Sequence, residues 1–286
     1  MGLRINTNVA ALNAARTLRR STLSLNKTLE RLSSGLRINR AADDAAGLAI
    51  AEGFNSVVRG SGVAARNSQD GISLVQTAEG ALSEVTGILQ RIRELAVQSA
   101  NGTLQDNPNR VDLSAEATQL IAAANEILTR TTFNGIDPFS ATAVTIQTGV
   151  LNGQTTALAG TGVAISTTTL GINALVINTQ ATASAALATL DTALTTVNTR
   201  RANLGAAQNR LEFTINQLGI REENASAAES RIRDADIAKE TIGFTRNQIL
   251  VSAGTSILAQ ANIVPDRKST RLNSSHIQKS RMPSSA

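Results

Sequence analysis

Few residues in this 286-residue chain are arranged for bond-making chemistry. Asp43-Asp44 and Glu222-Glu223 are the adjacent pairs of like carboxylates. An acid/base couple must converge on one reacting group. Sequence neighbours on a helix point roughly 100° apart, so both pairs read as helix-terminal or exposed charge. The single histidine, His276, lies near the C-terminus and leaves residues 1–266 without the usual proton shuttle. No serine sits in a GxSxG elbow with a histidine partner. Gly47 and Gly53 belong to neither GxxxxGK[ST] nor GxGxxG. With no cysteine, disulfides, zinc-finger patterns and thiol nucleophiles are excluded. This inventory points away from an enzyme and assigns no catalytic, cofactor-binding or metal-ligating residue.

Charge says less than it first suggests. The chain carries 27 basic and 22 acidic residues, a formal charge of +5. Residues 267–286 hold Arg267, Lys268, Arg271, Lys279 and Arg281 with no acid, so the remainder is neutral. Within that remainder, residues 1–40 carry eight basic residues against Glu30 alone, and the acids fall later. Such a split suits pairing between segments or copies at least as well as a polyanion. Aromatics make up 2% of the chain, too few for a single-strand stacking platform, so nucleic acid is not expected. No apolar run reaches eighteen residues, so no membrane insertion is expected. Asn6, Asn8, Asn13 and Arg16 interrupt any N-terminal signal-type apolar stretch.

The elements that must position any site are helical. Leu18, Leu25, Leu29, Leu32 and Leu36 form one seam, predicting a helix from about 3 to 33. Val75, Ala78, Leu82, Val85, Leu89, Ile92 and Ala96 alternate three and four residues apart, on a helix ending near Asn101-Gly102. The next helix starts after Pro108, with Asn109 as N-cap, and runs towards Arg130. Leu187, Leu190, Leu194, Val197, Arg201, Leu204, Gln208, Leu211, Ile215 and Leu218 make the longest seam, continuing to about Arg233. A helix of roughly 50 residues spans about 75 Å. Arg201 and Gln208 interrupt that seam as register-fixing polar groups. A last helix covers Asp236 to about Ala261.

Between the helical halves, residues 138–199 contain one charge, Asp191, and 140–183 are rich in Thr, Ala, Gly and Asn. AVTIQTGV and ALVINT read either as β-hairpin pieces or as parts of a low-complexity linker. Phe133-Asn134-Gly135-Ile136 carries the strongest turn signal. The expected fold is mainly α: a long antiparallel coiled-coil helical rod with a small β or irregular central insert. Apolar positions at 3–18 and 236–262 exceed what the helices between 70 and 235 need to cover. Pairing of these terminal segments, within and between copies, follows from the pattern, and contacts that do not close into a ring build a filament.

RINTN at 4–8, LSSGLRINRAADDAAGLAIAE at 32–52, LQRIRELAVQSANGT at 89–103, FNG at 133–135, RANLGAAQNRLE at 201–212, ESRIRDADIAKE at 229–240 and AGTSILAQAN at 253–262 resemble bacterial flagellin in order and spacing. The middle third matches nothing specific. The resemblance implies a structural subunit that polymerises into the extracellular filament for swimming, a helical homopolymer without a cofactor. It implies export through a type III apparatus, with an export chaperone at the C-terminal segment and with filament cap and hook–filament junction proteins as partners. It places filament-core contacts at Ile5, Val9, Leu12, Leu18, Ile249, Leu250, Ile257 and Leu258. It also implies burial of the RIRELAVQS helix between subunits. In some members the flagellin-sensing Toll-like receptor reads that helix, at positions matching Gln90, Arg91, Glu94, Leu95 and Gln98. The alternatives are a hook–filament junction protein and a coiled-coil adaptor or signalling rod.

The implied organisation is a filament-core helix and linker at 1–42, the N-terminal half of the rod at 43–137, a variable surface insert at 138–183, the long C-terminal rod helix at 184–235 and a C-terminal core helix at 236–266. Residues 267–286 depart from the family pattern. This Ser/Arg/Lys-rich tail is expected to be vector-derived or frame-shifted sequence replacing the last core-lining turns; a natural basic extension is the other reading, which the lack of an apolar face disfavours.

Overall fold

The computed structural model describes residues 8–104, 106–158 and 164–279, with the backbone alone for 106, 107 and 264–279. Among the described residues five α-helices dominate: α1 (Val9–Ser34), α2 (Ala45–Ser99), α3 (Val111–Arg130), α4 (Gln180–Arg233) and α5 (Ile237–Lys279). The strands β1 (Thr145–Gln147) and β2 (Thr155–Ala157) pair antiparallel. The chain divides into two compact units, Asn55–Ser226 and the combined ends Met1–Phe54 and Ala227–Ala286.

Helix ends follow local chemistry. Asn8 Oδ1 accepts from Ala11 N at 3.1 Å and starts α1, while Gly35 ends it in the left-handed region, φ 70°. Asp44, Thr179 and Asp236 accept in the same way from Gly47, Thr182 and Lys239. Asn109 does not cap α3. A π-helical turn at Asp106–Arg110 precedes it, and the Arg110 position makes no side-chain capping bond. Arg110 is instead buried and donates to Ser99 O at 2.7 Å and Asn101 O at 2.8 Å. Those carbonyls at and beyond the end of α2 would otherwise lack helical partners and carry the negative end of the dipole.

In the Asn55–Ser226 unit the expected α2 seam is buried from Val75 to Ala96. The same alternation extends upstream through Ser61, Ala64, Ser68 and Gly71, where small side chains admit a close neighbour. A Cβ on Gly71 would run into Ile146, one on Gly60 would meet Val150 at 2.7 Å, and Asn67 Nδ2 donates to Gln147 O at 3.2 Å. The hairpin therefore lies on this stretch of α2. Its first strand falls within AVTIQTGV as expected, but ALVINT is not a strand; β2 comes from the Thr-rich run 155–157. Asn134 (φ 49°) and Gly135 (φ 78°) make the expected tight turn between Phe133 and Ile136.

Helix α4 runs antiparallel to α2, as Glu79 to Arg201 at 3.6 Å and Arg93 to Asp191 at 2.8 Å show. Leu190, Val197, Leu204, Leu211 and Leu218 are buried, seven residues apart, as the seam required. Ala186 and Ala193 occupy its companion positions, while Leu187 and Leu194 are only half-buried. Alanines there let helices approach closely. Arg201 pairs across to α2, whereas Gln208 donates within its own helix, to Glu212 at 3.0 Å. The core is completed by Ile121, Ala124 and Leu128 of α3 and by Phe139, Leu158, Ile172 and Ile177.

In the other unit, α1 and α5 pair antiparallel. Asn8 Nδ2 donates to Ala261 O at 2.7 Å, Asn247 Nδ2 to Thr28 Oγ1 at 3.3 Å, and Arg31 pairs with Glu240 at 3.0 Å. Helix α5 continues beyond the expected stop near Ala261, past Pro265. After that proline the sequence has neither glycine nor another proline before Pro283, so nothing local ends it.

Candidate interaction surfaces

The α1–α5 pair buries little of its apolar surface. Of the residues in α1, Thr28 alone is buried. Val9, Leu12, Ile249 and Ile257 are each more than half exposed, and Leu250 is 44% exposed. Leu18 and Leu258 are half-buried, Leu18 lying against Gly254, where an added Cβ would meet it at 3.1 Å. Ile5 lies outside the described residues. Leu23, Ile237 and Ile242 are also largely exposed. Ile242, Ile249 and Leu250, with Thr241, Thr245 and Arg246, line a shallow groove of about 430 Å³. Apolar residues spread around a two-helix pair and left exposed among the described residues form a surface for further copies or partners.

The connection after α1 is tied down by charge. Lys27 Nζ lies 2.6 Å from Asp43 Oδ1, and Arg40 Nε lies 2.8 Å from Glu30 Oε1. Asn39 Nδ2 also donates to Glu30. Hydrogen bonding from Lys27 is the largest effect on Asp43 and holds its carboxyl below the usual aspartate value, with the Arg40 and Asn39 amides assisting. Asp43 and Asp44 thus fix backbone and do not form a reacting pair. Arg37 N donates to Arg233 O at 2.6 Å and Ala235 N to Gly35 O at 2.9 Å, tying the connection to the end of α4.

On the Asn55–Ser226 unit, Gln90, Arg91, Glu94 and Gln98 share the exposed side of α2. Leu95 is 1% exposed and packs in the core, so it supports this surface from within. Arg91 bonds Glu116 of α3 at 2.9 Å and Glu94 at 3.1 Å. Glu116 first, then Glu94, raises the guanidinium's already high pKa. These exposed pairs orient the side chain more than they stabilise the fold. Among the described residues no group of three His, Cys, Asp or Glu could hold a metal, and no helix is long and apolar enough to cross a membrane.

Comparison with known proteins agrees with this geometry. Residues 5–144 match the bacterial flagellin N-terminal helical region, and residues 187–267 the bacterial flagellin C-terminal helical region. A flagellin from Halalkalibacterium halodurans is 47% identical, over 91% of this chain and 96% of its own length. The flagellar filament 33 kDa core protein of Treponema phagedenis is 43% identical, over 90% and 96% respectively. Bacillus subtilis flagellin is 43% identical, over 92% and 97%. The helical halves that the two family regions cover are those that carry the exposed apolar helices, and the chain belongs to the bacterial flagellin family.

Proposed function

We propose that this chain is the repeating structural subunit of an extracellular flagellar filament, and that it performs no catalysis. The carrying observation is the apolar surface left open on α1 and α5, the helices formed by the two ends of the family-matched sequence. Burying one such side chain contributes about 1.5–3 kcal/mol, against an association cost of about 4–15 kcal/mol. Several must be buried together, so both helices take part. The relatives' names support self-assembly over a coiled-coil adaptor. Type III export, chaperone capture at the C-terminal segment and contacts with cap and hook–filament junction proteins extend the same reading. So does receptor reading of free subunits, for which Gln90, Arg91, Glu94 and Gln98 are accessible and Leu95 is a support.

Hydrogen exchange on monomer and on polymer tests the proposal. Residues 8–34 and 237–263 should exchange freely in the monomer and become protected in the filament. Strong protection in the monomer would contradict it.

A further inference from the structure

Asn101, Asn134 and Asn152 are each followed by glycine, which makes them chemically alike. Glycine has no Cβ to shield its amide, so that nitrogen can approach the Cγ of the preceding asparagine. Reaction needs the two atoms within about 3–3.5 Å. The local backbone must swing to bring them there, and the fold restrains the three sites differently.

Asn101 is held on two sides. Its Oδ1 accepts from Thr103 N at 3.2 Å, and its carbonyl accepts from the buried Arg110 at 2.8 Å. Asn134 is fixed in the left-handed region, φ 49°, between Phe133 and Ile136, which exchange two backbone hydrogen bonds at 2.9 Å. Asn152 stands at the tip of the β1–β2 hairpin, where Leu151, Asn152, Gly153 and Gln154 are all exposed. Its carboxamide makes no hydrogen bond among the described residues. The turn is closed by Gln154 N on Leu151 O at 3.2 Å and by Leu151 N on Gln154 Oε1 at 3.1 Å. Exposed turn bonds of this kind open at the low end of a protein's range of local stability.

We infer that Asn152 is a self-modifying site, which converts with time to aspartate and isoaspartate while Asn101 and Asn134 persist. Hydroxide takes the Gly153 amide proton, and the nitrogen attacks Asn152 Cγ. The N–Cγ bond forms and the Cγ–Nδ2 bond breaks; the nitrogen leaves as ammonia after taking a proton from water, which restores the hydroxide. A second water opens the cyclic imide. Cleavage at Cγ gives aspartate, and cleavage at the main-chain carbonyl gives isoaspartate, whose chain runs through the former side chain. The net change consumes one water, releases one ammonia and oxidises nothing. Either product places a carboxylate in residues 138–190, which carry no charged side chain. Isoaspartate also adds one main-chain atom between Leu151 and Gly153. The Leu151–Gln154 turn bond and the Thr148 N to Gln154 O bond, 3.0 Å, then cannot both persist, and the strand register that seats Val150 on Gly60 is disturbed.

The full-length chain, incubated folded and in urea in mildly alkaline buffer, tests this by mass spectrometry of its digests, with isoaspartyl methyltransferase labelling to mark the isomer. In the folded chain Asn152 should convert at least about tenfold faster than Asn101 or Asn134, a barrier difference of about 1.4 kcal/mol. In urea the three rates should converge. Asn152→Gln should remove the fast site. Asn152→Asp, which adds the charge at unchanged chain length, should keep the amide protection of residues 145–157 that the isoaspartate product loses. Conversion of Asn152 no faster than the other two in the folded chain, an unchanged ranking in urea, or an isoaspartate product with full hairpin protection would overturn the inference.

Discussion

Replacing Arg110 by Met separates a structural plug from an ordinary surface arginine. The guanidinium is 4% exposed and donates to two carbonyls at the C-terminal end of α2, Ser99 O and Asn101 O. Ser99 also donates its hydroxyl to Ile177 O, joining the same buried spot to the segment that leads into α4. Hydrogen bonds to charged groups are worth about 1.5–3 kcal/mol each, and a buried carbonyl left unpaired costs about 1–3 kcal/mol. Met keeps much of the apolar stem, so the loss comes mainly from the two carbonyls. The expected destabilisation is about 3 kcal/mol. For a cooperative unit of 150–250 residues this lowers Tm by roughly 6–12 °C. Calorimetry and urea unfolding of the monomer measure it, with Arg110→Lys recovering part of the loss. A Met variant within about 1 kcal/mol of the original chain would refute the reasoning, because water would then serve the carbonyls equally well.

Two further outcomes follow from particular contacts. Gly71→Ala, which normally favours a helix by about 1 kcal/mol, should destabilise by about 1–3 kcal/mol, because the added methyl runs into Ile146 and sits 3.2 Å from Leu211. Gly80→Ala, with nothing within 4 Å, should stabilise instead, and urea titrations of both monomers check the sign. Asp43, whose folded pKa is depressed from 3.8 by Lys27, contributes stability that is full above the unfolded value and is lost as pH falls through the folded one. Asp43→Asn should remove that acid-dependent step at and below about pH 4, read as amide exchange of residues 36–44 against pH; an unchanged profile would show that the Lys27 contact does not hold this connection.

Much of the fold was legible because leucine and valine mark buried seams directly. Leu82, Leu89, Ile92, Leu190, Val197 and Leu211 are buried where heptad spacing required. The upstream half of α2 was not legible, since Ser61, Ala64, Ser68 and Gly71 carry no hydrophobic signal although they lie on the same buried line. Their role depends on the hairpin above them, a nonlocal partner. The exchange of Leu187 and Leu194 for Ala186 and Ala193 has a similar cause: a third helix widens the buried face and rotates it from a two-stranded seam. Leu95 is buried too, while its neighbours Gln90, Arg91, Glu94 and Gln98 stay outside. The terminal surfaces could be read as surplus apolar positions, but the ion pairs at Lys27–Asp43 and Arg40–Glu30 required the chain reversal after Gly35.

Seeded polymerisation viewed by electron microscopy tests the central claim most directly. Purified chain added to short filament fragments should extend them into long tubular filaments. Ile249→Asp, placed on an exposed face of α5, should leave monomer unfolding unchanged and abolish extension. Persistent monomer or dimer from the unsubstituted chain, or undiminished extension by the Asp variant, would contradict a filament built on these terminal helices.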